Sequence, residues 1–154
     1  MSPHFIRLAT LADTAVIAHH RAKMFVDMGS IPAQEYELLR SSTTPWIAEL
    51  LKSGEYVGWL IELDGEVIAG AGAFILQIGP GPGRYRVGRW AHLANVFTER
   101  QHRRRGLARE LMRTILAWCD ANAIDHVTLT ASEEGRPLYS ALGFKPTSDM
   151  RLVR

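Results

Sequence analysis

The most distinctive chemistry in this sequence lies in a short basic stretch. Arg103, Arg104 and Arg105 stand directly before Gly106, and an apolar series with helical spacing follows. The dipole of a helix favours acidic residues in its first turn, so three arginines there indicate that an anion binds at this end. Free backbone N–H groups at a helix terminus bind phosphate, and a glycine lets the phosphate approach the backbone closely. The stretch therefore predicts a phosphate site, to which the arginines add charge-assisted hydrogen bonds.

Two other interpretations of the basic stretch compete with a phosphate site. One is a solvated basic helix start, and the other is a nucleic-acid patch. The established phosphate loops do not fit, because the pattern G-x-x-x-x-G-K-[ST] is absent. Gly70-Ala71-Gly72 also lacks the third glycine and the following helix of a dinucleotide fingerprint. A nucleotide hydrolase and a dinucleotide-dependent dehydrogenase are therefore disfavoured.

The overall charge limits the kind of partner. The 154 residues carry 18 Lys and Arg against 16 Asp and Glu, a formal net charge of +2. This is too small for an extended nucleic-acid surface, so we expect a compact anionic ligand and no nucleic-acid partner. Hydrophobic residues make up 47% and charged residues 22%, which excludes a disordered or fibrous chain and predicts one globular domain over residues 1–154.

The cysteine content and the lack of long apolar runs bear on the compartment. The single cysteine, Cys119, excludes an internal disulfide and a thiolate-rich zinc cluster, and its position in a predicted helix indicates a buried small hydrophobe. The N-terminal MSPHFIRLAT has no apolar core of signal-peptide length, and no run approaches the roughly 20 apolar residues of a membrane span. We expect a soluble, cytoplasmic protein that has no membrane partner.

Periodicity and turn residues predict the elements that position the basic stretch. In the first half they predict a strand over Phe5–Ala9, followed by a helix from the Thr10–Asp13 capping box through Met28. They then predict a short helix with Thr44 as N-cap and Pro45 at its first position, which ends before Gly54, and a β-hairpin at Asp64-Gly65. In the second half they predict a loop over 79–83, a strand over Trp90–Thr98, a helix from about Arg104 to Ala121, a strand in HVTLTAS, a short helix in EEGRPLYSALGF closed by Gly143, and a last strand in MRLVR. This order favours an α/β fold with a mixed sheet covered by helices, and the hairpin disfavours an all-parallel sheet.

Two motifs resemble a known family. The run Arg103–Ala108, RRRGLA, resembles the R/Q-x-x-G-x-G/A signature of the GNAT superfamily of N-acetyltransferases, in the same strand-loop-helix setting. SEEGRPLYSALGF resembles the second conserved element of that family, with Tyr139 and Gly143-Phe144 in register. The resemblance implies the GNAT acyl-CoA N-acyltransferase fold, with a central mixed, mostly antiparallel twisted sheet flanked by helices. It also implies acetyl-coenzyme A as the acyl donor and no metal.

The resemblance also implies where coenzyme A binds. Its pyrophosphate is expected on backbone amides of the basic stretch, namely those of Arg103, Arg104, Arg105, Gly106, Leu107 and Ala108. The pantetheine arm is expected to run along Val96, Phe97 and Thr98, and the N–H groups around Val96 and Phe97 are the implied donors to the developing oxyanion. Ser132 stands where the family often has an asparagine that hydrogen-bonds the pantetheine, and Arg136 completes the predicted set of cofactor residues.

The catalytic candidates are Tyr139, His92 and Asn95. Direct transfer of an acetyl group to an amine needs a deprotonated amine, donors for the oxyanion and stabilisation of the leaving thiolate. The resemblance assigns the last task to Tyr139. The reference pKa of tyrosine, about 10, exceeds the thiol value of about 8.5, so a hydrogen bond to the thiolate fits better than full proton transfer. Core packing of the Tyr139 ring is the alternative. The identity of the general base stays open. The candidates are His92, Asn95 and Glu99, each acting through a water, and the alternative is water with backbone carbonyls alone.

Other polar and aromatic residues have weaker signals. His19 and His20 are adjacent and lack a metal-ligand spacing, so we expect surface or substrate-side residues. Asp27 is a candidate contact for a cationic amine, with a solvent-facing carboxylate as the alternative. Trp46 and Trp59 are expected to pack in the core, with a pocket wall as the alternative.

These expectations combine into one hypothesis about function. We expect an acetyl-CoA-dependent N-acetyltransferase that transfers the acetyl group directly to a primary amine of a small molecule. The alternatives are a protein N-terminus or lysine as acceptor, and a non-catalytic domain that senses acyl-CoA. A homodimer is also considered, since many GNAT proteins dimerise.

Overall fold

The computed structural model describes residues 3–154. Its strands and α-helices follow in the order β1 (Phe5–Leu8), α1 (Thr14–Asp27), α2 (Tyr36–Ser53), β2 (Tyr56–Leu63), β3 (Glu66–Ile78), β4 (Gly88–Thr98), α3 (Leu107–Ala121), β5 (His126–Leu129) and α4 (Arg136–Ala141). Short 3₁₀ turns at Leu11–Asp13, Ala33–Glu35 and Arg100–His102 lead into α1, α2 and the loop before α3. The predicted alternation of strands and helices is confirmed for all but the last predicted strand.

The strands form a mixed sheet in the order β1-β2-β3-β4-β5. The first four strands pair antiparallel, and β4 and β5 pair parallel through the α3 crossover. The β2–β3 hairpin turns at Asp64 (φ 51°) and Gly65 (φ 81°), which is the conformation of a type I′ turn and confirms the Asp-Gly prediction. The mixed, mostly antiparallel sheet predicted from the sequence is therefore confirmed.

The two faces of the sheet carry different helices. Alternate residues of a strand point to opposite faces. Trp59 and Ile61 of β2 belong to the larger core cluster, which contains the buried side of α3, whereas Tyr56 packs with Ile17 of α1 and Ile47 of α2. Helix α3 is held by its predicted apolar face, since Leu107, Leu111, Met112, Ile115 and Cys119 are all buried. The sheet thus separates an α3 side from a side covered by α1 and α2.

The structure corrects the prediction for the second helix. Helix α2 begins at Tyr36, not at Pro45, and Pro45 lies inside it. Pro45 cannot donate to the carbonyl one turn earlier. Burial of Thr43 and Ile47 on either side of it favours the continuous helix. Tertiary packing therefore overrides the local stop signal, while the predicted end is confirmed by Gly54 in the left-handed conformation (φ 79°).

The predicted last strand in MRLVR is wrong. The residues after α4 form no strand, and Met150, Leu152 and Val153 are 98%, 78% and 80% exposed. A strand needs hydrogen-bond partners as well as alternating side chains, and no strand within residues 3–154 pairs with this segment.

Candidate active site

The site begins where β4 and β5 separate. Their parallel pairing joins Trp90–Leu93 to His126–Leu129 and stops there, whereas β4 continues to Thr98. On the β5 side, the last residues of β4 therefore have no ladder partner. This stretch contains Val96, Phe97 and Thr98, the residues predicted to line the pantetheine. Phe97 is buried, and Val96 and Thr98 are half-buried.

A β-bulge lies at the start of this opening. Gly72 pairs with Ala94 and Gly70 with Phe97, so Asn95 and Val96 together oppose Ala71. Asn95 adopts a φ of 58°, in the left-handed region that asparagine tolerates better than most residues. The bulge changes which face the following side chains point to, because it inserts one residue into a pattern of period two.

Asn95 is buried, and its amide is held by protein groups. The side chain is 3% exposed. Its Oδ1 accepts a hydrogen bond from Arg21 Nη1 at 2.8 Å, and its Nδ2 donates to the Tyr56 hydroxyl at 3.0 Å. Asn95 was predicted as a catalytic candidate that holds a water. Both ends of its amide instead bind protein groups that fix the bulge.

Gly72 makes room for Tyr56 beneath the bulge. A Cβ atom at Gly72 would overlap the Tyr56 hydroxyl oxygen, which is sterically impossible. Burial raises the pKa of Tyr56 to about 12, so the hydroxyl stays protonated. The packing of the site therefore requires glycine at position 72. The sequence pattern pointed to Gly72 only as part of a dinucleotide motif that does not fit.

The predicted phosphate loop precedes α3. The helix begins at Leu107 and not at Arg104, because Arg104 and Gly106 adopt positive φ angles of 62° and 78°. Arg104, Arg105 and Gly106 are exposed, and a Cβ atom at Gly106 would meet open space. The first intrahelical N–H is that of Glu110, which donates to Gly106 O at 3.1 Å, so the N–H groups of Leu107, Ala108 and Arg109 precede the helical ladder.

Arg103 differs from its two neighbours. Its Nε donates to Thr98 O at 2.9 Å, its Nη2 donates to Asp27 Oδ2 at 2.6 Å, and its guanidinium lies 5.7 Å from the Phe97 ring centroid. Asp27 also pairs with Lys23 at 3.3 Å. The predicted phosphate ligand and the predicted amine contact therefore bind each other, and they join the end of α1 to the loop.

A large open cavity of about 1490 Å³ adjoins the gap between β4 and β5. Its walls include Trp90 and His92 of β4, Tyr139 of α4, and Trp46 and Phe74 on the side of α2. Trp46 is 44% exposed, so its expected core packing is wrong. Trp59, at 3% exposed, packs in the core as predicted.

Tyr139 lies at the wall of the cavity. Its ring is half-buried, packs against the larger core cluster and lies 6.1 Å from the Phe144 ring. Burial raises the pKa of Tyr139, so its hydroxyl is a neutral hydrogen-bond donor at pH 7. The hydroxyl has no hydrogen-bond partner within residues 3–154, and it is not sealed from solvent. Tyr139 therefore packs with its ring, as one interpretation predicted, and its hydroxyl is still available as a hydrogen-bond donor.

His92 faces the same cavity. Its Nδ1 lies 2.8 Å from Thr128 Oγ1, which also accepts a hydrogen bond from Trp90 Nε1 at 2.6 Å. Burial lowers the pKa of His92, so its imidazole is neutral at pH 7.

Ser132 and Arg136 belong to the turn that starts α4. Ser132 Oγ accepts a hydrogen bond from the Gly135 N–H at 3.0 Å, which uses one of its two acceptor positions. Arg136 is exposed at the cavity wall, and its Nη2 lies 3.4 Å from Glu133 Oε1.

The adjacent histidines have different environments. His19 Nδ1 lies 2.6 Å from the Tyr36 hydroxyl, and His19 Nε2 lies 2.9 Å from Glu99 Oε1, so His19 links α1, α2 and the end of β4. His20 is only 2% exposed, and its Nε2 has no partner. The expectation of a surface residue is therefore wrong for His20. Glu99, a candidate base in the sequence, is engaged with His19.

Two residues of the site were missed in the sequence, Arg21 and Tyr56. Arg21 is a half-buried arginine on the inner side of α1, and Tyr56 is a buried first residue of β2. For Arg21, the signal available in the sequence was a charged residue between the apolar positions of α1. Within the described residues, no group of three or more His, Cys, Asp or Glu side chains could hold a metal, and no helix has the length and apolar character to cross a membrane.

The fold and the site define a class of protein. A mixed sheet whose parallel strands separate beside an exposed, glycine-containing helix start is the framework of the acyl-CoA N-acyltransferases. The sequence matches the acetyltransferase (GNAT) family over residues 17–144, most of the chain. The chain belongs to this family, and the resemblance identified from the two motifs is confirmed. No curated protein sequence matches the chain significantly.

Solved structures agree with this assignment. A GCN5-related N-acetyltransferase from Ralstonia eutropha is 27% identical, with a TM-score of 0.90 over 99% of both chains. A predicted acetyltransferase from Clostridium acetobutylicum, solved with acetyl-CoA, is 23% identical, with a TM-score of 0.87 over 99% of this chain and 96% of that one. The glucosamine-6-phosphate N-acetyltransferase of Arabidopsis thaliana is 18% identical, with a TM-score of 0.70 over 99% and 98% of the two chains. The last two similarities extend to the fold alone.

Proposed function

We propose that this protein transfers the acetyl group of acetyl-CoA directly to the primary amine of a small molecule. The observation that carries the proposal is the opening between β4 and β5. It adjoins the exposed helix start on one side and a cavity lined by Tyr139 and His92 on the other. Acetyl-CoA would supply an activated thioester carbonyl, and the remaining tasks fall to groups of this chain.

The loop before α3 fits a pyrophosphate. The positive φ of Gly106, the open space on its Cβ side and the free N–H groups at Leu107 and Ala108 form an anion-binding concavity. Leu107 contributes only its backbone, because its side chain is buried in the core. Exposed Arg104 and Arg105 would add charge, whereas Arg103 would mainly hold the loop against α1 through Asp27.

The free edge of β4 fits the extended arm of the donor. Main-chain N–H and C=O groups of Val96, Phe97 and Thr98 would pair with amide groups of the pantetheine, as a neighbouring strand would. The amides near the bulge would donate to the carbonyl oxygen as it gains negative charge, a form of stabilisation often worth about 10²–10³ in rate. Asn95 acts here as a positioning residue, since both ends of its side-chain amide bind protein groups.

Tyr139 would stabilise the leaving sulfur. When the amine nitrogen bonds to the carbonyl carbon, the carbon–sulfur bond breaks and the sulfur takes its electron pair. The Tyr139 hydroxyl, protonated and without a protein partner, is available to donate a hydrogen bond to that sulfur. The ring packing fixes the hydroxyl at the cavity wall.

His92 would accept the proton that the amine loses. If His92 Nδ1–H donates to Thr128 Oγ1, Nε2 keeps its lone pair, and the lowered pKa keeps the ring neutral. Proton transfer to Nε2 directly or through one water completes the balance of the reaction. This assignment selects His92 over Asn95, whose amide binds Arg21 and Tyr56, and over Glu99, whose Oε1 binds His19.

The decisive experiment measures thiol release from acetyl-CoA over a panel of small amines, peptides with free N-termini and lysine peptides. Acetylation of small amines supports the proposal, and preferential acetylation of the peptides would replace it with protein acetylation. Coenzyme A binding by calorimetry without thiol release for any acceptor would indicate an acyl-CoA sensor. Indifference to coenzyme A together with salt-dependent DNA binding would indicate a nucleic-acid protein.

Two further expectations complete the proposal. Action in the cytoplasm is supported by the cysteine content, because a chain with the single cysteine Cys119 forms no internal disulfide. Association as a homodimer stays a prediction, to be checked by sedimentation.

A further inference from the structure

Arg21 is an unusual cation within this site. It projects from α1 and is half-buried, and its guanidinium lies 5.2 Å from the Phe25 ring centroid and 5.3 Å from the Trp46 ring centroid. No carboxylate among residues 3–154 lies within 4.0 Å of it, whereas Lys23 and Arg103 nearby share Asp27. Burial lowers the pKa of Arg21, which reflects the loss of hydration. A partly desolvated charge usually has a counter-ion, and here the described residues supply none.

Most of the hydrogen-bonding capacity of Arg21 is unused. A guanidinium has five N–H donors, and the one hydrogen bond of Arg21 within the described chain runs from Nη1 to Asn95 Oδ1 at 2.8 Å. The other guanidinium nitrogens of Arg21 have no protein partner within the described residues, and they remain accessible to solvent. Among these residues, the fully buried side-chain nitrogen that lacks a partner belongs to His20. The two rings pack against the guanidinium, so in-plane N–H groups are left to bind a further acceptor.

The position of Arg21 relates it to the acceptor side of the site. Its partner Asn95 is the bulge residue next to Val96, whose backbone is a proposed donor to the reacting carbonyl. Trp46, which packs on the guanidinium, also lines the cavity together with Phe74 at a ring distance of 5.3 Å. An anionic group bound by Arg21 would therefore lie near the bulge and beside an apolar, aromatic wall.

We infer that Arg21 is a specificity residue that binds a carboxylate of the acceptor, while an apolar part of the acceptor packs against Trp46 and Phe74. The planar fork of a guanidinium matches the two oxygens of a carboxylate, and flanking rings favour this in-plane approach. The preferred acceptor is then an amine that carries both a carboxylate and an apolar group, as an apolar amino acid does. This inference rests on the proposed acetylation of a small amine.

The test compares matched acceptors that differ in one group. Thiol release is measured with phenylalanine and phenethylamine, which differ in the carboxylate, and with glucosamine 6-phosphate and glucosamine, which differ in a phosphate. We expect the wild type to prefer phenylalanine. Arg21→Gln should raise the KM for phenylalanine and lower the preference for phenylalanine over phenethylamine, measured as the ratio of their kcat/KM values, by about 10- to 100-fold, the range for loss of a hydrogen-bonded charge. Because Arg21 also binds Asn95 at the bulge, a loss of activity common to both acceptors cancels in this ratio. Arg21→Lys should recover part of the loss. Arg40→Gln is the control, since Arg40 pairs with Glu37 on the exposed side of α2.

A second measurement separates this inference from the proposed reaction. 3-Phenylpropionate has the carboxylate and the ring but no amine, so calorimetry reports its binding without turnover. Binding to the wild type that is lost in Arg21→Gln supports the site even if no amine is acetylated, in which case the proposed reaction alone fails. Equal use of phenylalanine and phenethylamine, or an unchanged KM in a folded Arg21→Gln variant, overturns the inference. Preference for glucosamine 6-phosphate would overturn the carboxylate assignment in favour of a phosphate.

Discussion

The buried His20 predicts a loss of stability in mild acid. Its imidazole lies against Phe97 with ring centroids 5.0 Å apart, it is 2% exposed, and its Nε2 has no partner. Burial, aided by the neighbouring His19, lowers the pKa of His20 from 6.5 to about 3. Below pH 6.5 the unfolded chain therefore binds a proton that the folded chain rejects, and stability falls as the pH drops towards 3. At about 1.36 kcal/mol per pKa unit, the change from pH 7 to pH 5 removes about 2 kcal/mol.

The assay is urea unfolding of the wild type and of His20→Leu at pH 7 and pH 5. We expect the free energy of unfolding of the wild type to fall by about 2 kcal/mol more than that of the variant. His126→Leu, which removes an exposed histidine, should follow the wild type. Parallel behaviour of the wild type and His20→Leu would refute the reasoning. If the variant does not fold, NMR of the wild type decides, because titration of the His20 ring between pH 7.5 and 4.5 would equally contradict the burial argument.

Three other outcomes are expected. Tyr139→Phe should lower kcat about 10- to 150-fold, because a hydrogen bond to a developing charge contributes about 1.5–3 kcal/mol. Tyr85→Phe, in the exposed β3–β4 loop, should leave kcat unchanged. An unchanged kcat in Tyr139→Phe would assign the role to water. Gly106→Ala and Gly29→Ala both force alanine to a positive φ, near 78° and 75° respectively, and each should cost about 1–2 kcal/mol of stability. Only Gly106→Ala should also weaken coenzyme A binding, by about tenfold in calorimetry. Equal affinities would place the pyrophosphate elsewhere. Sedimentation equilibrium of the full chain tests the possible homodimer: twice the 17.2 kDa chain mass would support it, and a single-chain mass would disprove it.

Local signals predicted three features of the fold well. The apolar face of α3, the Asp64-Gly65 turn and the short α4 each depend on residues close in sequence, and each was confirmed. The start of α3 was misplaced by three residues, because the positive φ of Arg104 and Gly106 is a property of the loop that helical periodicity does not reveal. This loop is where a phosphate site was predicted, so the error changed the geometry but not the chemistry.

Signals that depend on distant partners were less reliable. Pro45 predicted a helix start and lies inside α2, because Thr43 and Ile47 are buried against other elements. The C-terminal MRLVR has the residues of a strand but no partner in the described chain. Trp46 is a residue type expected in the core, yet it is 44% exposed and lines the cavity, because its burial depends on the elements that pack around it.

The sequence by itself determined the family, the order of most elements and the place of the anion-binding loop, because these follow from short motifs and local backbone preferences. It also named Tyr139 and His92, which the fold brings to one cavity. Only the tertiary structure decided that Arg103 binds Asp27, that His20 is buried, and that Arg21, Asn95 and Tyr56 form one hydrogen-bonded chain. These contacts join residues from α1, β2 and β4, and they exist only after the sheet and its helices have packed.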